Sequence, residues 1–220
     1  MKVLVAGATG ETGRRVVSIL LEQGIAVRAM VRHYDSGKAL LPAGTEIVVG
    51  DVLQPETLKV AVADCTAVIC ATGARPSLDV AGPFKVDYWG TRNLVDVCKS
   101  QGIEQFVLVS SLCVSQFFHP LNLFGLILFW KQQGENYLRQ SGLTYTIVRP
   151  GGLKNEDNTE AIVMASADTL FEGRIPRQKV AQICVEALLQ PNARNKVVEI
   201  ICQATAPVQT AEALFAQVSV

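Results

Sequence analysis

The most constraining stretch of this chain is its beginning. Val3-Leu4-Val5-Ala6 is a short apolar run of strand type. It passes through Gly7-Ala8-Thr9-Gly10-Glu11-Thr12-Gly13 into Val16, Val17, Ile19, Leu20 and Leu21, which recur at helical spacing before Gly24. Glycines spaced this way say little alone; between a strand and a helix they say more. Gly7 permits a tight turn, Gly10 lets backbone approach a pyrophosphate, and Gly13 allows close packing of helix on strand. A helix N-terminus adds unpaired N–H groups and partial positive charge that suit an anion. Thr9, Glu11 and Thr12 complete this candidate phosphate cradle.

Further short apolar runs follow at 27–31, 46–49, 67–71, 106–109 and 144–148, the last stopped by Pro150. Helical patterns lie between them, notably at 84–100 and 124–140. The strands are nearly continuous apolar runs, as in strands buried on both faces. The expectation is an α/β fold, a doubly wound parallel sheet with helices on both faces and strand order 3-2-1-4-5-6. Beyond Gly152 the pattern weakens: a polar loop at 154–159, a helix at 180–189, a strand at 197–201 and a closing helix at 211–218. The chain of 220 residues reads as a single domain, residues 1–220.

Composition excludes several classes. An apolar content of 49% with 18% charged residues is not that of a disordered chain. Twenty Lys+Arg balance twenty Asp+Glu, which argues against a nucleic-acid binder. No apolar run reaches the ~18 residues a membrane helix needs, and the N-terminus does not read as a signal peptide. Cys65, Cys70, Cys98, Cys113, Cys184 and Cys202 form no CxxC and no zinc-type spacing, so no metal is expected. They read as reduced thiols in a cytoplasmic protein; Cys113 stands apart because it follows a strand end.

The end of the second strand reports on the cofactor. Arg32 lies 19 residues beyond Gly13, where an acid would bind a ribose hydroxyl and a guanidinium suits a 2′-phosphate. Arg14 and Lys38 add charge, although Asp35 lies close by. The reading is NADP(H) rather than NAD, against a solvated surface arginine. His33 flanks the adenosine end. Asp51, followed by Val52, either accepts the adenine amino group or caps the helix opening near Pro55. Thr72 and Gly73 fall at the expected topological switch point, beside the ribose. Arg75 reaches a phosphate or a substrate anion, or is a surface arginine.

The stretches Gly7 to Gly13, Val49-Gly50-Asp51-Val52, Val86-Asp87-Tyr88-Trp89-Gly90-Thr91-Arg92-Asn93-Leu94, Val109-Ser110-Ser111, Trp130-Lys131 and Val148-Arg149-Pro150-Gly151-Gly152 together resemble the atypical short-chain dehydrogenase/reductase superfamily. The likeness is to its biliverdin reductase B and flavin reductase branch. It extends to the redox-sensing dehydrogenase domain of the chloroplast import translocon and its cyanobacterial relatives. The resemblance implies a Rossmann-type domain with NADPH at the carboxyl edge of the strands. Ordinary members use YxxxK; reading Lys131 as the lysine puts Ile127 at the tyrosine, so the proton-donating phenol is missing. That disfavours ordinary alcohol or sugar oxidoreduction. The chain ends at Val220 without the tail by which the translocon protein docks a reductase, so that partner is not expected.

The resemblance further implies Ser111 and Lys131 as catalytic candidates, with Ser110 beside the cofactor. Ser111 orients the nicotinamide or the acceptor, or satisfies local backbone. Lys131 holds ribose hydroxyls, or snorkels from an apolar helix start. Pro150, Gly151, Gly152 and Leu153 follow the sixth strand, where bare glycines let backbone approach the nicotinamide and widen the acceptor site. His119 edges the acceptor pocket or is a loop residue. The apolar segment 117–130 lines a planar acceptor site, contacts a membrane or partner, or is a buried core helix.

The implied function is NADPH-dependent hydride transfer to a flavin or bilin, by a monomer or weak dimer, cytoplasmic or thylakoid-associated. The rival is an NADP-binding redox sensor or assembly protein with little turnover.

Overall fold

The computed structural model of the protein describes residues 1–74 and 80–219. Its first strand, β1 (Lys2–Ala6), has Val3, Leu4, Val5 and Ala6 all at 0% exposure. Such a run belongs at the middle of a sheet covered on both sides. Val3 and Val5 enter one core with Val16, Val17 and Leu20 of α1 (Glu11–Glu22), while Leu4 and Ala6 enter a second core on the opposite face.

The chain continues through β2 (Ala26–Val31), α2 (Tyr34–Leu40), β3 (Glu46–Val49), α3 (Pro55–Val62) and β4 (Ala67–Cys70). A π-helical segment, Phe84–Gly90, runs into α4 (Thr91–Ser100), followed by β5 (Gln105–Val109), α5 (Ile127–Gln140) and β6 (Tyr145–Pro150). Then come β7 (Gly152–Lys154), β8 (Ala161–Ser166), β9 (Arg174–Pro176), α6 (Arg177–Leu189), β10 (Lys196–Gln203) and α7 (Ala211–Gln217).

The sheet order is β3-β2-β1-β4-β5-β6-β10-β8, so the expected six-strand order is present and two strands extend it. β10 lies parallel to β6, and β8 lies antiparallel to β10 at the edge. The weakly patterned region after Gly152 therefore holds more strand than its sequence showed. β7 and β9 pair only with each other. β6 does stop at Pro150, as expected, but includes it and runs two residues past 148; the Pro150 carbonyl accepts from Leu112 N, and a sheet position that uses only the carbonyl tolerates proline. The helix expected from 124 begins at Ile127, after a 3₁₀ turn, Pro120–Leu123.

The switch point falls between β1 and β4, where connections leave in opposite directions. All six cysteines are buried free thiols. Burial raises their pKa values, that of Cys184 to about 12, so none is poised as a thiolate. Cys113 sits at φ +61° and donates from Sγ to the Phe171 carbonyl at 3.0 Å, which ties its loop down.

Candidate active site

The cradle is built by close backbone approach. Gly7 has φ +80°, and a Cβ there would lie 2.7 Å from the Ala71 carbonyl oxygen, on the loop that leaves β4. A Cβ on Gly13 would lie 2.2 Å from the Gly7 oxygen. Gly10 occupies the N-cap of α1 and no side chain caps that end, so the first-turn N–H groups of Glu11, Thr12 and Gly13 keep an opening for an anion. Glu11 is held by Arg14 at 2.6 Å and Arg15 at 2.9 Å, chiefly through the Arg15 hydrogen bond that keeps its pKa below the ordinary value.

A cleft of about 520 Å³ extends from this cradle, lined by Gly7, Thr9, Gly10, Arg32, Asp51, Val52, Thr72 and Gly73 among others. These residues come from the exits of β1, β2, β3 and β4, and the bare helix end with the glycine turn fits a dinucleotide diphosphate. A second cleft, of about 390 Å³, lies between α1, α6 and the start of α7; it contains none of the candidate residues.

At the adenosine end, Arg32 is exposed and enters no ion pair among the described residues. Asp35 and Lys38 are exposed on α2. His33 precedes α2 without capping it and does not line the cleft. Asp51 accepts from Leu53 N at 2.9 Å, and Gln54 occupies the N-cap of α3. The capping alternative for Asp51 is thus corrected. Its carboxylate closes a local turn, and Pro55 starts the helix without a donor to satisfy. Val52 is buried; its carbonyl accepts from Asn93 Nδ2 at 2.9 Å, and a Cβ on Gly90 would lie 2.6 Å from its Cγ2. Gly90 and Asn93 therefore seat the floor of the cleft, a role their motif did not disclose.

At the other end, Lys131 Nζ donates to Asp87 Oδ1 at 2.7 Å, and Ala74 N donates to Asp87 Oδ2 at 3.2 Å. A Cβ on Gly73 would sit 3.3 Å from Lys131 Nζ, so the ion pair stands at the cleft's rim. Lys131 does not snorkel; its side chain is 16% exposed and turned to a carboxylate that is 1% exposed. Asp87 is not among the expected site residues, and among Lys85, Arg92 and Asp96 of the same helical stretch nothing in the sequence singles it out. Thr72 contacts Cys70, Oγ1 to Sγ 3.2 Å. Ile127, at the tyrosine position, is buried. Arg75 lies outside the described residues.

Ser111 is half-buried and makes no side-chain hydrogen bond among the described residues. Ser110 points inward and donates to Glu135 Oε1. Glu135 also accepts from Arg149, Nη2 to Oε2 2.6 Å, and Arg149 reaches Asp168 at 2.9 Å and Glu199 at 3.3 Å. Burial works against charge on Arg149, but the hydrogen bonds and charge of Glu135, with Asp168 and Glu199, outweigh it and raise its pKa. Glu199 also accepts the backbone N–H groups of Asp168, Thr169 and Leu170.

The reason expected for Gly151 is corrected. A Cβ there would lie 2.7 Å from the Gly173 oxygen and 3.0 Å from Ile201 Cγ2. The residue is bare to close a seam between β6, β10 and the approach to β9, not to widen a pocket. Gly152 donates from N to the Gly173 carbonyl at 2.9 Å, Pro150 is buried, and Leu153 is exposed on β7. His119 accepts from Leu121 N at 3.2 Å and caps the 3₁₀ turn.

The core-helix reading of 117–130 is also corrected. Phe118 is 97% exposed and Leu123 84%, whereas Ile127 and Leu128 are buried. The loop is held by Asn122 rather than by burial. Its side chain donates to the Phe117 carbonyl at 2.8 Å and accepts from Leu128 N at 2.8 Å and Phe129 N at 3.2 Å, capping α5.

The family described as NAD(P)H-binding matches residues 7–191. An uncharacterized chloroplastic protein of Arabidopsis thaliana is 50% identical over 99% of this chain and 82% of its own length. Protein TIC 62, chloroplastic, of Pisum sativum is 35% identical over 98% of this chain, which spans 46% of that protein. Sanguinarine reductase of Eschscholzia californica is 33% identical over 91% of this chain and 88% of its own length. Among solved structures, a putative NAD-dependent epimerase/dehydratase from Bacillus halodurans has a TM-score of 0.88 at 29% identity and covers 99% of both chains. ChuY, an anaerobilin reductase of Escherichia coli, has a TM-score of 0.80 at 25% identity, covering 94% of this chain and 100% of that one. No helix among the described residues is long and apolar enough to cross a membrane.

Proposed function

The chain belongs to the NAD(P)H-binding family of Rossmann-fold oxidoreductases, and on that footing we propose that it is an NADPH-dependent reductase of a planar conjugated acceptor of the flavin or bilin kind. Bound NADPH supplies a hydride. The observation that carries the acceptor class is the make-up of the hydride end. A Lys131–Asp87 ion pair stands at the rim, rings of Phe84, Tyr88 and Trp130 lie beside it, and Ile127 fills the phenol's place. Such a site offers aromatic faces to a flat ring, the Lys131 charge in it is compensated by Asp87, and the YxxxK tyrosine position supplies no proton. An acceptor whose reduced form takes its proton from water suits it. The reductases named among the relatives support this reading.

Purified protein with NADPH and FMN, riboflavin or a bilin is expected to accelerate loss of reduced-nicotinamide absorbance over a protein-free control. No acceleration with any of them would withdraw the reading in favour of a cofactor-binding sensor or assembly protein, which the exposed Phe118 and Leu123 favour.

Arg32 sets cofactor choice in this reading, since a guanidinium without an ion pair among the described residues is available to a 2′-phosphate. Arg32→Ala is expected to weaken NADPH binding by about tenfold to a hundredfold, the worth of a charge-assisted hydrogen bond. NADH binding should be unchanged in the same titration. An equal loss for both cofactors would remove Arg32 from the phosphate site.

A further inference from the structure

Residues 105–130 contain no Asp, Glu, Lys or Arg. Residues 105–114 are buried apart from half-buried Ser111, so the uncharged surface is the part from 115 on, near a cleft built for a polyanion. Its rings form a ladder. Phe84 lies between Gly82 and Val86, which both line the cleft. From Phe84 the centroid spacing is 4.8 Å to Trp130, 4.9 Å from there to Phe129, 6.0 Å to Phe117 and 5.4 Å to Phe118. The ladder thus starts at a ring two residues from cleft-lining positions, not itself lining the cleft, and ends in open water, where Phe118 and Leu123 are the most exposed apolar side chains and Phe117 and Phe124 are 53% and 44% exposed.

The charges beside it are largely spent. Lys131 is neutralised by Asp87, and Arg92 lies over the Trp89 and Tyr137 rings at 5.1 and 5.2 Å. Lys85 is the one cation of the π-helical segment without an ion pair among the described residues. Among the described residues, a phosphate or a pair of propionates on an acceptor would find little to neutralise it along the ladder. Hydrocarbon would find a continuous apolar surface instead.

We propose that the acceptor is a neutral planar ring with a long apolar tail, as in a prenylated quinone, and that Phe117, Phe118, Leu123 and Phe124 receive the tail. The proposal rests on the NADPH-dependent reductase reading and puts a quinone in place of the flavin or bilin as acceptor. The acceptor ring would gain a hydride from the nicotinamide and one proton from solvent, giving the quinol and the oxidised nicotinamide.

The experiment uses one benzoquinone head with no side chain, with one isoprene unit and with two. Two readouts are taken: NADPH oxidation, and quenching of Trp89 and Trp130 fluorescence by the quinone in protein loaded with NADP⁺. Two isoprene units are expected to raise kcat/KM and tighten binding by about tenfold or more, a modest part of the apolar area on offer. Phe118→Ser with Leu123→Ser should erase most of that gain and leave the tailless quinone unaffected; both side chains are exposed enough for the fold to tolerate the change. Tail-enhanced binding without NADPH oxidation would keep the tail site and end the reductase reading. Oxidation with no tail effect in either readout would overturn the tail site and keep the reductase. Sedimentation of quinone-free protein with neutral phosphatidylcholine vesicles, lost in the double variant, would assign the ladder to a lipid surface and also overturn the proposal.

Discussion

Replacing Gly13 by alanine is expected to cost about 3 kcal/mol of stability and to abolish cofactor binding. The added methyl would lie 2.2 Å from the Gly7 carbonyl oxygen and 2.8 Å from the Gly7 carbon. Both neighbours are backbone. Gly7 is itself held against Ala71 on the loop leaving β4, so it has no free direction in which to retreat. Forced overpacking of this kind sits at or above the top of the ~1–3 kcal/mol range usual for small-to-large changes. For a chain of this size that shift lowers the unfolding midpoint by about 6–12 °C. Gly10→Ala makes the contrast. Its methyl would meet only the Gly7 oxygen, at 3.1 Å, which a small movement relieves. Gly10 lines the cleft, however, so the same methyl stands where a diphosphate would rest. This variant should fold normally and bind NADPH at least about tenfold more weakly, since it lengthens charge-assisted hydrogen bonds to backbone N–H groups. Thermal unfolding and NADPH titration separate the two. A Gly13→Ala protein of unchanged midpoint would show that the turn is not held as tightly as its geometry demands.

How much of this was legible in the sequence depended on whether the deciding contact was local. The strand–turn–helix at Gly7 to Gly13 carries its own explanation within seven residues, and β1, β2, β4, β5 and β6 announce themselves because a strand buried on both faces has few polar residues, whereas β3 is a half-exposed edge strand legible only from its short apolar run. α2 left no such trace, since only Gly37 of its seven residues is buried and no apolar stripe exists. β8 escaped because its burial alternates irregularly along an edge strand, and β7 and β9 because three-residue strands that pair only with each other bury little. In the site, Gly151 was visible as a glycine of interest, but its reason lies at Gly173 and Ile201, far along the chain. Asp87 and Glu135 look like ordinary charges on helix surfaces. Their partners, 44 and 14 residues away, turn them into buried ion pairs, and only the tertiary fold reveals that.

The largest loss of stability should come from Arg149→Met, about 3–5 kcal/mol. Arg149 is the one cation among three carboxylates, and two of these, Glu135 and Glu199, are 1% exposed. Removing it strands both in a dry interior, Glu135 with only the Ser110 hydroxyl and Glu199 with the backbone N–H groups of 168–170. Removing Glu135 alone, as Glu135→Leu, should cost less, because Arg149 keeps Glu199 and the half-exposed Asp168. The double variant Arg149→Met with Glu135→Leu is expected to recover more than half of the Arg149→Met loss. Glu199 then remains with three N–H donors and no stranded neighbour, and well-packed apolar side chains often replace a buried ion pair at little cost. Denaturant unfolding of the four proteins gives the coupling directly. Additive losses would mean that Arg149 and Glu135 act independently, against a contact of 2.6 Å. The same cycle bears on function, because this cluster ties Ser110 at the β5 exit to the 168–170 loop. With the pair replaced by hydrocarbon the fold should return, yet kcat should stay depressed, since Ser111 then stands on a strand end whose neighbour has lost its anchor.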